Sequence, residues 1–276
     1  SRSDIIRSQR QIIALGYFNP ESLGIQTPVD QTNGTVDIIY EVEERPSDQL
    51  ELSAGWGGFG RSQIIGTLGV TFNNFSLRNL FKPEAWSPLP QGDGQRFSVR
   101  IQTNGDFFQS YNFSLTEPWL GGKRPNSFTV GGVITKVDQT AYQGGKLKIS
   151  RGFVGLGSRL KWPDDNFISN TTLSAEFIEL DNYRTGDFVD KNGRPITDGL
   201  YKNFNIAQTI ARSTINEPTF PRNGSLISLT IQATLPYSLM GRNYTAGDPQ
   251  SEYEYVEYHK WDIDAEWYTP LVGKLV

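Results

Sequence analysis

The chain has 276 residues, a formal charge of −4, 37% hydrophobic residues, no cysteine and one histidine. That balance argues against nucleic acid as the main partner, removes disulfides and thiolate metal sites, and leaves no apolar run near the roughly 18 residues of a transmembrane helix. It leaves room for a membrane barrel, whose strands are apolar on the lipid face only.

Residues 4–15 have helical spacing. Ile5, Ile12 and Leu15 share one stripe, Arg7, Gln9 and Arg10 lie mostly opposite, Ser3 can cap and Gly16 can stop the helix. No signal peptide is visible at Ser1, and the chain reads as beginning inside a longer one. Val36, Ile38, Tyr40 and Val42 then alternate with polar neighbours, which predicts one strand over Val36–Glu43. Helix, turn and strands make a small α+β unit with too few elements to close its own core.

From Gln49 the alternation becomes uniform. Leu50, Leu52, Ala54 and Trp56 face one way, and Glu51, Ser53 and Gly55 the other. Ile64, Leu68, Val70 and Phe72 form the next apolar face, followed by Phe97, Val99 and Ile101. Tyr111–Trp119 shows the pattern most clearly, alternating through Tyr111, Phe113 and Leu115 and stopping at Glu117-Pro118-Trp119. Phe128, Val130 and Ile134 come next, then fainter strands over 146–160 and 172–180, and stronger ones over 202–212 and 225–235. In 253–269, Trp261, Ile263, Ala265 and Trp267 alternate with Asp262, Asp264 and Glu266. An acidic row behind an aromatic row suits a barrel wall with lipid outside and water inside. The pattern predicts about ten strands, several near the roughly 9–11 residues that cross a membrane. A soluble β-sandwich also alternates, but its strands usually run about 5–6 residues. Trp119, Trp162, Trp267 and Tyr268 fall near strand ends, where interfacial girdles would put them.

Several segments resemble a known family when taken in order. They are the helix with Leu15-Gly16-Tyr17-Phe18, the strand Val36–Glu43 with Glu44, and Gly69–Leu80 with its Asn73-Asn74-Phe75 and Asn79-Leu80. Leu115-Thr116-Glu117-Pro118-Trp119, Leu160-Lys161-Trp162-Pro163-Asp164-Asp165 and Tyr268-Thr269-Pro270-Leu271 complete the set. This order resembles the BamA family of outer-membrane β-barrel assembly factors and covers nearly the whole chain. The resemblance implies that residues 1–46 are the C-terminal part of a periplasmic POTRA domain. It implies that residues 47–276 are the N-terminal part of an antiparallel up-and-down transmembrane barrel of roughly sixteen strands. The later strands, the closing strand, and the first strand and helix of the POTRA domain have no counterpart here. Arg151-Gly152-Phe153 matches the letters of a family loop motif but sits inside the expected sixth strand, and reads as coincidence. Lys82–Gln95 is longer than its turn requires. These residues alone are expected not to close a barrel, because the last strand lacks its partner.

The resemblance implies an insertase of the outer membrane. The first strand, Gln49–Gly57, would pair weakly with the last, and a nascent strand would add to its exposed edge by β-augmentation. The expected templating edge is Leu50, Glu51, Leu52, Ser53, Ala54, Gly55 and Trp56, acting through backbone N–H and C=O groups. The run Gly55-Trp56-Gly57-Gly58 would weaken pairing locally. Implied partners are nascent outer-membrane β-barrel proteins, accessory lipoprotein subunits at the periplasmic face, and membrane lipids. No cofactor, metal or enzymatic activity is expected. A polypeptide-secreting barrel with POTRA domains is the alternative function, with a passive porin and a soluble β module behind it.

Chemistry-bearing residues are few. The lone His259 reads as a strand end near the membrane surface rather than part of a catalytic set. Asp262, Asp264 and Glu266 can hold a cation, but a solvated wall is the simpler reading. Asp187-Phe-Val-Asp190-Lys-Asn192-Gly193 misses calcium-loop spacing and reads as a long polar surface loop. Asn33-Gly34-Thr35 and Asn243-Tyr244-Thr245 are turn chemistry first, and a glycosylation-acceptor match is weak in isolation.

Overall fold

In the computed structural model the residues described are 5, 8–9, 12–13, 17–30, 33–43, 48–57, 63–86, 89–122, 124–142, 144–190, 192–215, 221, 223–240 and 252–269. Of the predicted N-terminal helix, Ile5, Ser8, Gln9, Ile12 and Ile13 are helical, and the rest of 4–15 lies outside the described residues. Four short strands follow: β1 (Gly24–Gln26), β2 (Val29–Asp30), β3 (Thr35–Val36) and β4 (Ile39–Glu41). β1 pairs with β4 and β2 with β3 around the Asn33-Gly34 turn, where Gly34 takes φ 65°. The strand expected over Val36–Glu43 is therefore two strands. The break at Asp37 and Ile38 is where the partner changes from β2 to β1, and Asp37 donates its N–H to the Pro28 carbonyl at 3.0 Å. Pro28, between β1 and β2, has no N–H of its own to donate to either ladder.

Ten longer strands follow in chain order. They are β5 (Gln49–Gly57), β6 (Gln63–Phe75), β7 (Gln95–Thr103), β8 (Phe108–Glu117), β9 (Ser127–Asp138), β10 (Lys146–Arg159), β11 (Phe167–Asp181), β12 (Gly199–Ser213), β13 (Gly224–Thr234) and β14 (His259–Tyr268). They form one sheet in which every strand neighbours the next, an up-and-down meander from β5 to β14. The two strands that looked faint in sequence are among the longest, 14 residues in β10 and 15 in β11. The strand expected over 253–269 begins only at His259. Upstream of it, Lys202 and Val256 exchange backbone hydrogen bonds with Glu254 and Lys202, so this segment borders the start of β12 in parallel.

The chain forms two compact units, residues 1–50 with 70–97 and residues 51–69 with 98–276. In the first, the long β6–β7 connection is a folded turn. Ser76 is fully buried and donates its hydroxyl to Asp93 at 2.6 Å, while Asn79 donates its N–H to Ser76 Oγ and its side-chain amide to the Gln91 carbonyl. The Tyr17 hydroxyl lies 2.6 Å from the Asn73 carbonyl and 2.9 Å from that of Gly94, so the N-terminal segment is fastened to this turn.

Register assigns the faces in the second unit, because residues directly opposite in a ladder share one face. One apolar row reads Leu115, Val130, Val154, Leu173, Ile206 and Ala233 from β8 to β13. The row Trp261, Ile263, Ala265 of β14 continues this face against Ile231, Leu229 and Ile227. The other face is mostly polar, as in Thr116 against Thr129, Thr209 against Thr230, and Asp262 against Thr230. Its apolar exception is a buried cluster of Phe107, Phe108, Val137, Leu147, Leu180, Tyr183 and Tyr201, joined by partly buried Phe188 and Ile196. The β11–β12 connection supplies Tyr183, Phe188 and Ile196. The segment read as a polar surface loop thus folds onto the sheet, because burying these rings outweighs the polar character of its remaining residues.

Candidate functional site

β5 lies at one end of the sheet, with β6 as its one neighbour among the described residues. Its limits, Gln49–Gly57, are those the alternation predicts. Leu50, Leu52 and Trp56 are 67%, 73% and 76% exposed, so the apolar face of the strand is uncovered. A terminal strand of this kind presents main-chain N–H and C=O groups to any further strand. Gly55 has nothing within 4 Å of the position a Cβ would take, so no side chain from the sheet packs over the strand there.

Glu51 links β5 to the strand beyond its neighbour. Its Oε1 accepts from the Arg100 guanidinium of β7 at 2.8 Å, reaching across the intervening β6. The reach depends on Gly69. A Cβ at that position would lie 3.2 Å from both Glu51 Cβ and Oε2, and 3.8 Å from Arg100 Cγ. Glycine here leaves no side chain between carboxylate and guanidinium. Ser53 adds a longer hydrogen bond of 3.4 Å to Glu51. Sequence reasoning placed Glu51 and Arg100 on polar faces but did not join them, because three-strand adjacency needs a register that alternation does not contain.

The other singled-out residues have ordinary surroundings. His259 begins β14, exposed and opposite Ala233. Asp262 pairs with Lys260 at 2.8 Å, and Asp262 and Asp264 stand opposite Thr230 and Ser228. Asp187 accepts the Tyr183 and Thr185 hydroxyls. Asp190 is buried and accepts the Asn192 and Arg194 N–H groups at 2.8 Å each, with the Arg194 guanidinium at 3.0 Å. These bonds, the Arg194 N–H foremost, hold the Asp190 carboxyl below its ordinary value against the opposing effect of desolvation. The loop carboxylates are therefore committed to one another's turns. Among the described residues no group of three or more His, Asp or Glu could hold a metal ion. Asn243–Thr245, Gly58 and Pro270–Leu271 lie outside the described residues.

Trp119 follows β8, Trp162 follows β10, and Trp267 and Tyr268 end β14, so in a meander all four belong to the same end of the sheet. Trp162 and Trp267 are 81% and 82% exposed. Beside Trp162, Asp164 accepts from the Arg212 guanidinium at 2.9 Å, fastening the β10–β11 turn to β12. Arg151-Gly152-Phe153 lies inside β10, and the Phe153 ring covers Gly131 of the next strand.

A family model described as the Omp85 superfamily domain matches residues 91–276. The outer membrane protein assembly factor BamA of Neisseria meningitidis serogroup B is 25% identical over 252 residues, which cover 86% of this chain and 28% of that protein. The crystal structure of BamA from Haemophilus ducreyi lacking POTRA domains 1–3 is similar with a TM-score of 0.55 at 20% identity, covering 86% of this chain and 43% of that one. The chain thus spans less than half the length of the relatives it matches.

Proposed function

The chain belongs to the Omp85 superfamily, and from that membership we propose that it is part of an outer-membrane β-barrel that assembles and inserts other outer-membrane proteins. Residues 1–46 are the end of a periplasmic POTRA domain, and 47–276 are the first strands of the barrel. The apolar face of the meander lies against lipid and the polar face lines the interior. Leu50, Glu51, Leu52, Ser53, Ala54, Gly55 and Trp56 form the edge on which a nascent strand is templated through main-chain hydrogen bonds. Accessory subunits bind at the periplasmic side.

The observation that carries this reading is the position of β5. A nine-residue strand at the end of the sheet, apolar side chains uncovered, is held by one neighbouring strand and by the reach of Glu51. An unpaired edge is costly in hydrocarbon and hence receptive to a substrate strand. The similarity to assembly factors supports the same assignment.

The chain has no native cysteine, so the test is direct. Single cysteines along Leu50–Trp56 of the full-length protein are cross-linked to cysteine-labelled nascent barrel proteins in membranes. Cross-links that follow one register identify the templating edge. Links only to the protein's own last strand, together with a stable open conductance, identify a polypeptide-secreting barrel instead.

A further inference from the structure

On the apolar face, the row above Leu115–Val130–Val154–Leu173–Ile206 is Phe113, Gly132, Gly152, Ala175 and Phe204. Three small residues between two aromatic ones leave a trough in this face. The Phe113 ring closes one end by lying over Gly132, where a Cβ would come 2.7 Å from its Cε1. Gly152 is open, with nothing within 4 Å of its Cβ position. The result is a groove of about 690 Å³ lined by Val130, Gly152, Val154, Leu173, Ala175 and Phe204 on this face.

Along β10 the same face of the sheet runs on from Gly152 through Ser150 to Lys148. There the register sets Lys148 directly opposite Lys136 of β9, with Gln109 beyond it on β8. Two ammonium groups facing each other across neighbouring strands repel. Glu179 pairs with Lys148 at 2.8 Å, which leaves Lys136 beside it as an exposed positive charge. In the next row Lys146 and Asp138 neutralise each other at 3.2 Å. The four residues from Gly152 to Lys148 span about 13 Å, the reach of a partly extended acyl chain below its headgroup.

We propose that this face holds one net-anionic membrane lipid, its acyl chain in the groove over Gly152 and Ala175 and its phosphate against Lys136 and Lys148. An anion there balances the Lys136 charge that the Lys148–Glu179 pair leaves standing, and the chain fills the trough over Gly152. This site rests on the reading above that the apolar face meets lipid, and it is separate from the β5 edge.

The test uses the full-length protein in vesicles of phosphatidylcholine containing phosphatidylglycerol brominated on the acyl chain, against vesicles in which phosphatidylcholine carries the bromine. Phe177→Trp, beside Ser150 in the register, reports on the groove. Its quenching is expected to be at least about twofold greater with brominated phosphatidylglycerol, to lose that preference in Lys136→Gln, and to fall to the phosphatidylcholine level in Gly152→Leu, whose side chain has room. Equal quenching by the two lipids in the parent overturns the site alone. Absence of quenching of the reporter and of Trp261 and Trp267 by either lipid overturns the site together with the membrane reading. A preference unaffected by both variants places the lipid elsewhere and also overturns it.

Discussion

Breaking the Glu51–Arg100 pair should loosen the edge strand. Both side chains are 48% exposed, and the pair is 2.8 Å long. At that exposure solvent screening limits its contribution to about 0.2–1 kcal/mol, which corresponds to a change of about 1.4- to 5-fold in the population with β5 released. Glu51→Gln and Arg100→Gln in the full-length protein should each raise the yield of cross-links from a cysteine at Leu52 to nascent barrel proteins by that factor. Gly69→Val should act similarly, since its side chain would displace Glu51. The double variant Glu51→Gln/Arg100→Gln should exceed neither single one, because each removes the same interaction. High salt should bring the parent towards the variants, as screening shortens the reach of exposed charges. Additive single effects, or yields unchanged in all three, would show that this pair does not hold the strand.

Tyr17→Phe removes the hydroxyl shared between the Asn73 and Gly94 carbonyls; a loss of about 0.5–1.5 kcal/mol should appear as faster limited proteolysis within residues 76–94. Gly131→Ala should be costly by about 1–3 kcal/mol, because the new Cβ would sit 2.5 Å from Phe153 Cζ and 2.7 Å from the Phe113 carbonyl oxygen, of which only the ring can turn aside; the readout is loss of the heat-modifiable band on electrophoresis. Asp190 should make the β11–β12 connection acid-sensitive. Its folded carboxyl titrates below the ordinary value, so the contribution is complete above the unfolded value of about 3.9 and disappears as pH falls through the lower folded one. Protease sensitivity near Phe188 should therefore stay constant from neutral pH down to that range and rise below it, and Asp190→Asn should remove the transition.

The legible part of this fold was the part with strict alternation. β5, β8 and β13 announce themselves because nearly every second residue is apolar. β10 and β11 looked faint because their apolar face carries Ser150, Gly152, Ser169 and Thr171, small or polar residues that blur the period. On β11 and β12 that polarity is contained, since Thr171 donates to Gln208 Oε1 and Gln208 Nε2 donates to Ser169 Oγ. The break in Val36–Glu43 was invisible because a change of partner strand leaves the side-chain period intact. The Glu51–Arg100 reach and the Lys136–Lys148 opposition join residues far apart in sequence, and only register brings them together. The burial of Tyr183 was hidden by the charged residues around it.

The β11–β12 connection bears on how this protein can vary over generations. A connection that hangs free drifts and accepts insertions readily. This one has Tyr183, Phe188 and Ile196 among the cluster that joins β8 to β12, and Asp190 holds the bend between them. Freedom to diverge is left to the exposed positions Arg184–Gly186. A tag inserted there should be silent, whereas one beside Phe188 should unseat a stopper that five strands share.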